Sequence, residues 1–390
     1  MGNMTGFISN LKTELKGDRV IWVLISLMTL VSLLGVYSST GGLSHKEQGG
    51  NTEYYVIKQG FIVLFGFIIM YVLHRLHYLR FHRLAPFLFI VAIPLLIFTL
   101  LFGVDINSAR RWIEIPVLGF TFQSSDFARL ALILYLARTI SSKQSIIKDF
   151  KSAFLPLILP VIIICFLIAP ADLSTALLLF STSIAMMFVG RVAVKYILML
   201  VLLAFIAFSI LILLGHFFPE MVRLATWIER IREFTTDSEG GFQVQQSKVA
   251  IANGGFFGTG PGQSIQRNFL PSSYADFIYA ILVEEYGLLG GFFVISLYLG
   301  FFFRITRLVT KSTKAFGAIV VTGLGFSFVF QAFINIAVAT HLVPVTGVTL
   351  PMISLGGTSI IMNCISLGII LSVSKFVESS NISTDVATNQ

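Results

Sequence analysis

The chain has 390 residues, of which 56% are hydrophobic and only 12% are charged, and its mean hydropathy is +0.88. A soluble domain needs a polar surface, so this composition excludes that class and indicates an integral membrane protein. The net charge of +8 does not indicate nucleic-acid binding, because the basic residues are spread over many short segments and form no single patch.

Ten apolar stretches approach or exceed the roughly 20 residues that a helix needs to cross a hydrocarbon core. Backbone polar groups inside a bilayer must be satisfied within their own segment, so these spans are predicted to be helices and not barrel strands. The sequence therefore predicts an all-α fold with one polytopic membrane domain over 1–378 and a disordered, cytoplasmic tail at 379–390. The predicted spans are 20–38, 55–73, 84–102, 123–140, 153–170, 173–190, 194–217, 277–303, 315–340 and 355–374.

The basic residues predict the orientation of these spans. Short cytoplasmic loops are rich in Lys and Arg, whereas short exported loops are not. With the N-terminus inside, most of the 27 basic residues fall in the inner segments. An extra or missing helix would break this alternation, so we expect both termini to be cytoplasmic.

The segment between the seventh and eighth spans, 218–276, is then a large extracytoplasmic loop. A loop of this length is either functional or disordered. Disorder is disfavoured because apolar side chains recur at helical spacing and predict an amphipathic helix at the membrane interface. The glycine-rich run at 254–262 lacks the Lys-Ser/Thr pair of a P-loop and predicts tight turns instead. The apolar residues of the predicted interfacial helix are Met221, Leu224, Trp227, Ile228, Ile231 and Phe234.

Asp276 lies where this loop meets the eighth span, and two interpretations of it are open. An Asp at the start of a helix is most often an N-cap, whose carboxylate accepts a backbone N–H. The alternative is a catalytic carboxylate. Glu284 and Glu285 follow inside the span, and at least one of them must face protein or water because a charged side chain facing lipid is costly.

Four more charged residues, Arg111, Asp126, Arg129 and Asp172, lie at or near the predicted outer ends of spans. They are interpreted in two ways. Asp126 and Arg129 are three residues apart on one helix face, which favours a structural ion pair. A cluster of both charges would equally suit an anionic phosphate ligand, because arginine binds phosphate in a bidentate manner.

Five motifs follow one another along the chain, at 107–113, 122–130, 169–175, 243–287 and 335–359. Together they resemble the motifs of the SEDS family of bacterial membrane proteins, whose members FtsW and RodA polymerise peptidoglycan glycan strands with a class B transpeptidase partner. Asp126 and Arg129 keep the charges of the family's Glu and Lys. The segment 17–39 is more similar to the cell-division member FtsW than to RodA.

The resemblance implies a lipid II polymerase, an inverting peptidoglycan glycosyltransferase at the outer face of the bacterial cytoplasmic membrane during septal wall synthesis. Asp276 matches the family's essential Asp, which implies the general base. Arg111, Arg129 and Lys248 are candidates for binding pyrophosphate, and Asp126, Asp172 and Glu284 complete the expected substrate site. A divalent cation, Mg²⁺ or Mn²⁺, is an expected helper, although no residues in the sequence define a metal site, and no organic cofactor is expected.

The partners implied by the resemblance are lipid II, a class B penicillin-binding transpeptidase and divisome proteins, with no nucleic acid. Two alternatives to the polymerase stay open. A lipid II flippase would also place charged residues between helices, although no inverted repeat is visible in the sequence. A non-catalytic scaffold that activates a transpeptidase is the third interpretation.

Overall fold

The computed structural model describes residues 17–41, 43, 52–106, 109–115, 120–147, 149–150, 155–217, 223–236 and 241–388. Helices dominate these residues. Their bounds are α1 Arg19–Ser39, α2 Thr52–Arg75, α3 Leu79–Phe102, α4 Ser124–Ser142, α5 Leu155–Ile168, α6 Leu173–Val189, α7 Val194–Phe217, α8 Leu224–Thr236, α9 Phe242–Gly254, α10 Ile278–Lys311, α11 Ala315–Ala339 and α12 Gly357–Thr388.

Among the described residues, seven helices are long and apolar enough to cross a membrane: α1, α2, α3, α7, α10, α11 and the part Gly357–Ser379 of α12. Two shorter apolar helices, α5 and α6, stand beside them. The protein is therefore a multi-pass membrane protein. Each predicted span coincides with one of these helices or with α4, which carries too much charge to count as apolar.

Helices α4, α11 and the part Gly357–Ser379 of α12 form the centre of the bundle. Nearly every residue of α4 after Phe127 is buried. In α11, two thirds of the 18-residue apolar stretch is buried as well. Small residues permit this packing, since a Cβ added to Gly323 would lie 2.6 Å from Ile133 and 2.5 Å from Met186. In helix α7 only 17% of the 18-residue apolar stretch is buried, so this helix lies at the periphery of the bundle.

A small β-sheet interrupts the predicted all-α fold. Between α3 and α4 the chain forms β1 Val104–Ile106, β2 Ala109–Ile115 and β3 Phe120–Gln123, paired antiparallel in that order. Trp112 is paired with Val104 on one side and with Gln123 on the other. The segment is too short and polar for another span, and strand pairing satisfies its backbone groups.

The predicted loop 218–276 contains two helices where the structure describes it. Helix α8 confirms the predicted amphipathic helix: Trp227 is buried and stacks on Phe208 of α7, while Ile228 and Ile231 are exposed. Met221 lies outside the described residues. Helix α9 packs against α10, and the glycine-rich turns after it lead to Asp276.

The last helix ends later than predicted. Its backbone is helical to Thr388, and the disorder expected for 379–390 stays a prediction. A packed helix propagates readily, because each further residue adds a hydrogen bond to the preceding turn without a new nucleation cost.

Candidate active site

A cavity of about 440 Å³ opens among α2, α4, α8, β2 and the turn before α10. Five of the predicted site residues line it: Arg111, Asp126, Arg129, Asp172 and Asp276. Because these residues come from separate segments of the chain, only the tertiary structure could bring them together. Among the described side chains that line the cavity, cations exceed carboxylates. The charged lining residues are Lys58, Arg111, Arg129, Arg223, Arg230, Asp126, Asp172 and Asp276.

The backbone around Asp276 is fixed by α11 and by the loop that joins α11 to α12. Asn335 Nδ2 donates to the Asp276 carbonyl at 2.7 Å and to the Val348 carbonyl at 2.8 Å. Ser354 Oγ donates to the Ala275 carbonyl at 2.6 Å. Two motif side chains, from 335–359, therefore position the turn that carries the carboxylate.

The Asp276 side chain does not cap α10. The helix begins at Ile278, and its N-cap residue is Phe277, which makes no side-chain capping bond. The N-cap interpretation is therefore wrong, because the capping position falls one residue later than the carboxylate. Instead Asp276 is half-buried and lines the cavity.

The surroundings of Asp276 adjust its acidity in opposite directions. Burial, with a smaller effect of the Asp172 charge, raises the pKa of the Asp276 carboxyl, Arg111 and Arg230 lower it, and the net pKa is about 6. A carboxyl with this pKa is mostly ionised near neutral pH, yet basic enough to accept a proton. It is suited to general-base catalysis.

Arg111 and Asp172 form one ion pair at the cavity wall. Arg111 Nη1 lies 3.1 Å from Asp172 Oδ2, and its Nε donates to the Ala171 carbonyl at 2.9 Å. Asp172 also caps α6, because its carboxylate accepts the Thr175 backbone N–H at 3.1 Å and the Thr175 hydroxyl at 2.8 Å. Asp172 thus holds Arg111 against β2 and α6, which orients a guanidinium at the cavity.

Asp126 and Arg129 form the second pair, as their spacing predicted. Arg129 Nη2 lies 3.3 Å from Asp126 Oδ1, and both side chains are buried. Arg129 Nη1 also donates to Gln331 Oε1 on α11. Gln331 Nε2 in turn donates to the Thr349 carbonyl at 3.0 Å, so this arginine is tied to the same loop that positions Asp276.

Two predicted substrate-binding residues, Lys248 and Glu284, are not among the residues that line the cavity. Lys248 lies on α9. Glu284 is fully buried, and its carboxylate accepts hydrogen bonds from the Ser264 hydroxyl and from the backbone N–H groups of Ile265 and Gln266. These bonds anchor the turn 255–266 to α10, and the role of Glu284 as a substrate ligand stays a prediction.

Backbone hydrogen bonds between the glycine-rich turns and α10 add to this anchoring. Helix α10 is interrupted at Gly287, where φ is 70°. At the interruption, Thr259 N–H donates to the Glu284 carbonyl at 2.9 Å and Leu288 N–H to the Gly255 carbonyl at 3.0 Å. A Cβ on Gly258 would lie 2.1 Å from the Glu285 carbonyl oxygen, so only glycine permits this approach.

Three cations of the cavity, Lys58, Arg223 and Arg230, were not predicted. Arg223 and Arg230 flank Trp227 at spacings of four and three residues, which places all three on one face of a helix. This spacing is a signal that the sequence offers. Lys58 on α2 has no such signal, because a lone lysine near a span end is common at membrane interfaces.

The predicted divalent cation finds no ligand cluster here. The described part of the chain has no group of three or more His, Cys, Asp or Glu side chains able to hold a metal ion. Asp126 and Asp172 are each paired with an arginine, which reduces their capacity to bind a cation. The described residues do not form a protein-held metal site, and the cation stays a prediction.

Comparison with known proteins agrees with this architecture. Residues 18–379 match the family model FTSW_RODA_SPOVE, described as "Cell cycle protein". A Bacillus subtilis (strain 168) relative, "Probable peptidoglycan glycosyltransferase FtsW", is 33% identical over 384 residues, which cover 95% of this chain and 94% of the relative. A Geobacter sp. (strain M18) relative of the same name is 32% identical over 361 residues, which cover 92% and 96%. The Bacillus subtilis stage V sporulation protein E is 31% identical over 368 residues, which cover 92% and 97%.

Two solved structures share the fold. Thermus thermophilus rod shape determining protein RodA superimposes with a TM-score of 0.67 at 21% identity, over 92% of this chain and 96% of RodA. A chain from a peptidoglycan synthase complex gives a TM-score of 0.71 at 21% identity, over 93% and 98%. Since the family model and relatives above 30% identity extend along nearly the whole sequence, this chain belongs to the FtsW, RodA and SpoVE family of cell cycle proteins.

Proposed function

We propose that this protein is a peptidoglycan glycosyltransferase that polymerises lipid II into glycan strands, with Asp276 as the general base. The observation that carries the proposal is the cavity, where one half-buried carboxylate faces a wall in which cations exceed carboxylates. A diphosphate leaving group needs positive charge, and an attacking hydroxyl needs a base. The names of the family relatives support the same activity.

In the proposed reaction, Asp276 accepts the proton of the acceptor sugar hydroxyl. The hydroxyl oxygen attacks the anomeric carbon of the lipid-linked strand and forms the new glycosidic bond with inversion. The bond between that carbon and the pyrophosphate oxygen breaks, and its electron pair leaves with the lipid pyrophosphate. Arg111 and Arg129, held by Asp172 and Asp126, stabilise the departing negative charge.

The proposal places the reaction at the outer face of the cytoplasmic membrane. Seven long apolar helices, with α4, α5 and α6, would make ten spans, and the distribution of basic residues supports cytoplasmic termini. The cavity would then face outward, where flipped lipid II is found. The FtsW-like N-terminal segment supports a role in septal synthesis with divisome proteins, and the likeness to a chain of a peptidoglycan synthase complex supports a class B transpeptidase as partner.

The orientation has its own test in cysteine labelling. Thr235 on α8 and Thr313, between α10 and α11, are both exposed. In a background without Cys165 and Cys364, a membrane-impermeant thiol reagent should label Thr235→Cys on intact cells and leave Thr313→Cys unlabelled. Labelling of both from the same side would refute an outward-facing cavity.

The activity is tested with the purified chain, labelled lipid II and a class B transpeptidase, with glycan strands resolved on gels. We expect Asp276→Asn to fold normally and to form no strands, because an amide does not accept the proton. Asp149→Asn is the matched control, since Asp149 is exposed and lies away from the cavity. Strands of normal length from a well-folded Asp276→Asn protein would refute the assignment of the base.

The alternatives give different results in the same preparation. A flippase moves fluorescent lipid II across proteoliposomes and makes no strands. A scaffold makes no strands alone but raises the crosslinking activity of the transpeptidase, and Asp276→Asn leaves that effect intact.

A further inference from the structure

We propose that Arg230, on the amphipathic helix α8, is a positioning residue that keeps the Asp276 carboxylate ionised at the mouth of the cavity. The inference rests on the proposed function only in treating Asp276 as the base. Its geometric content, a cation on a surface helix placed beside that carboxylate, stands separately.

Both side chains approach Gly347, which has a φ of 73°. A Cβ placed on Gly347 would lie 3.7 Å from Asp276 Oδ2 and 4.0 Å from Arg230 Nη2, so these two atoms lie within the sum of those distances. Because glycine has no side chain, no side-chain atom of residue 347 occupies the space next to these two charged groups.

Arg230 is held in this place by the loop that also positions Asp276. Its Nη1 donates to the Thr346 carbonyl at 3.3 Å, and the side chain is half-buried where it lines the cavity. Trp227, one helical turn earlier, is buried against Phe208 and sets the rotation of α8. With Trp227 packed against α7, Arg230 points toward the cavity and Ile228 and Ile231 remain exposed.

Arg230 has a distinct position among the charges around Asp276. Arg111 is engaged by Asp172, which itself acts against ionisation of Asp276, and Arg129 is engaged by Asp126. Arg230 forms no ion pair with a described carboxylate, and its described hydrogen bond is to a neutral carbonyl. Asp276 is one of three carboxylates that act on this charge, with Asp172 and Glu233, and Arg230 acts on Asp276 together with Arg111. The charged groups that share the cavity with Asp276 are Lys58, Arg111, Asp126, Arg129, Asp172, Arg223 and Arg230.

The direct test measures the protonation of Asp276 without any enzymatic turnover. A water-soluble carbodiimide modifies protonated carboxyl groups, and mass spectrometry of the peptide containing Asp276 gives the pH midpoint of modification. For opposite charges at this separation in a partly solvated site, removing the cation should raise the midpoint by about one pH unit. We expect this shift in Arg230→Gln and a midpoint near that of the wild type in Arg230→Lys.

Arg232→Gln is the matched control, because Arg232 lies on the same helix but is exposed and does not line the cavity. It removes the same net charge and should leave the midpoint unchanged. If Arg230→Gln unfolds, Arg230→Met preserves most of the aliphatic stem and removes the charge. An unchanged midpoint in whichever of these two variants folds, or an equal shift in Arg232→Gln, would overturn the proposal.

Polymerisation rates then separate this inference from the proposed function. If Asp276 is the base, the rate of Arg230→Gln at pH 6 should fall about fivefold relative to the wild type, with less than about a twofold loss at pH 8, because only the ionised carboxylate accepts a proton. A purely structural role in holding Thr346 would lower the rate at every pH and leave the midpoint in place. A shifted midpoint with no change in the pH profile would refute Asp276 as the base and leave the assignment of Arg230 standing.

Discussion

Glu284→Gln tests the structural role that the hydrogen bonds of the Glu284 carboxylate indicate. The carboxylate is fully buried and makes its hydrogen bonds to one short segment. Its Oε1 accepts the Ile265 N–H at 3.2 Å, and its Oε2 accepts the Gln266 N–H at 3.3 Å as well as the Ser264 hydroxyl. Both oxygens therefore face donors.

Glutamine has the same shape, but one of its two terminal atoms is a donor. Whichever way the amide is turned, an NH₂ group faces the N–H groups of the turn. The substitution loses at least one charge-assisted hydrogen bond, worth about 1.5–3 kcal/mol, and leaves a buried donor without an acceptor at about 1–3 kcal/mol. We expect a total loss of about 3–5 kcal/mol in the free energy of unfolding.

The assay is thermal unfolding of the purified protein in detergent, where this loss should lower Tm by about 5 °C or more. Limited proteolysis should show faster cleavage within 255–266, because that turn loses its anchor. Glu229→Gln is the control, since Glu229 is exposed on α8 and should leave both measurements unchanged.

A double-mutant cycle with Ser264→Ala identifies the contact itself. Residues in direct contact are not additive, so the double variant should be less destabilised than the two single variants together by about 1 kcal/mol. A Glu284→Gln protein with the Tm of the wild type and no polymerisation would refute the structural role. It would restore Glu284 to the substrate site, where sequence comparison had placed it.

Three further predictions follow from the site. Gly258→Ala should prevent folding or cost more than about 3 kcal/mol of stability, because its Cβ would clash with the Glu285 carbonyl oxygen. Gly262 has the same left-handed backbone but open space around it, so Gly262→Ala should cost only about 1 kcal/mol. Expression level and Tm measure both effects. Reversing either charge of the Asp126–Arg129 pair alone should cost about 3–5 kcal/mol of stability and lower expression, and exchanging the two residues should recover expression. The exchange should not recover polymerisation, because Arg129 also binds Gln331 and lines the cavity. Recovery of both would show a purely structural pair. Since the net pKa of Asp276 is raised to about 6, the wild-type rate should fall about tenfold from its plateau by pH 5, and a rate independent of pH between 5 and 8 would contradict a carboxylate base.

The sequence by itself determined the membrane class and the position of the long apolar helices. Lipid imposes a simple rule, that long apolar segments must be helices, and this rule needs no knowledge of neighbours. The stretch predicted at 123–140 is also helical, as α4, and its Asp126 and Arg129 pair on one helix face. The amphipathic helix α8 was likewise predictable from local periodicity.

Only the tertiary structure decided which polar residues share a site. Asp276 and Arg230 are far apart in sequence, yet both side chains approach Gly347. Glu284 is only eight residues from Asp276, yet it is buried against Ser264 outside the cavity lining. The small sheet of β1, β2 and β3 also escaped prediction, because its strands are short and depend on each other for their hydrogen bonds.

The physical reason is the difference in range between these interactions. Burial of an apolar span and helical periodicity are properties of contiguous residues. The direction of a carboxylate depends instead on backbone contacts such as those from Asn335 and Ser354, which come from helices and loops distant in the chain. Local sequence predicts that a charged residue near the end of a span needs a polar partner. Whether that partner is a neighbouring turn or a substrate depends on the tertiary structure.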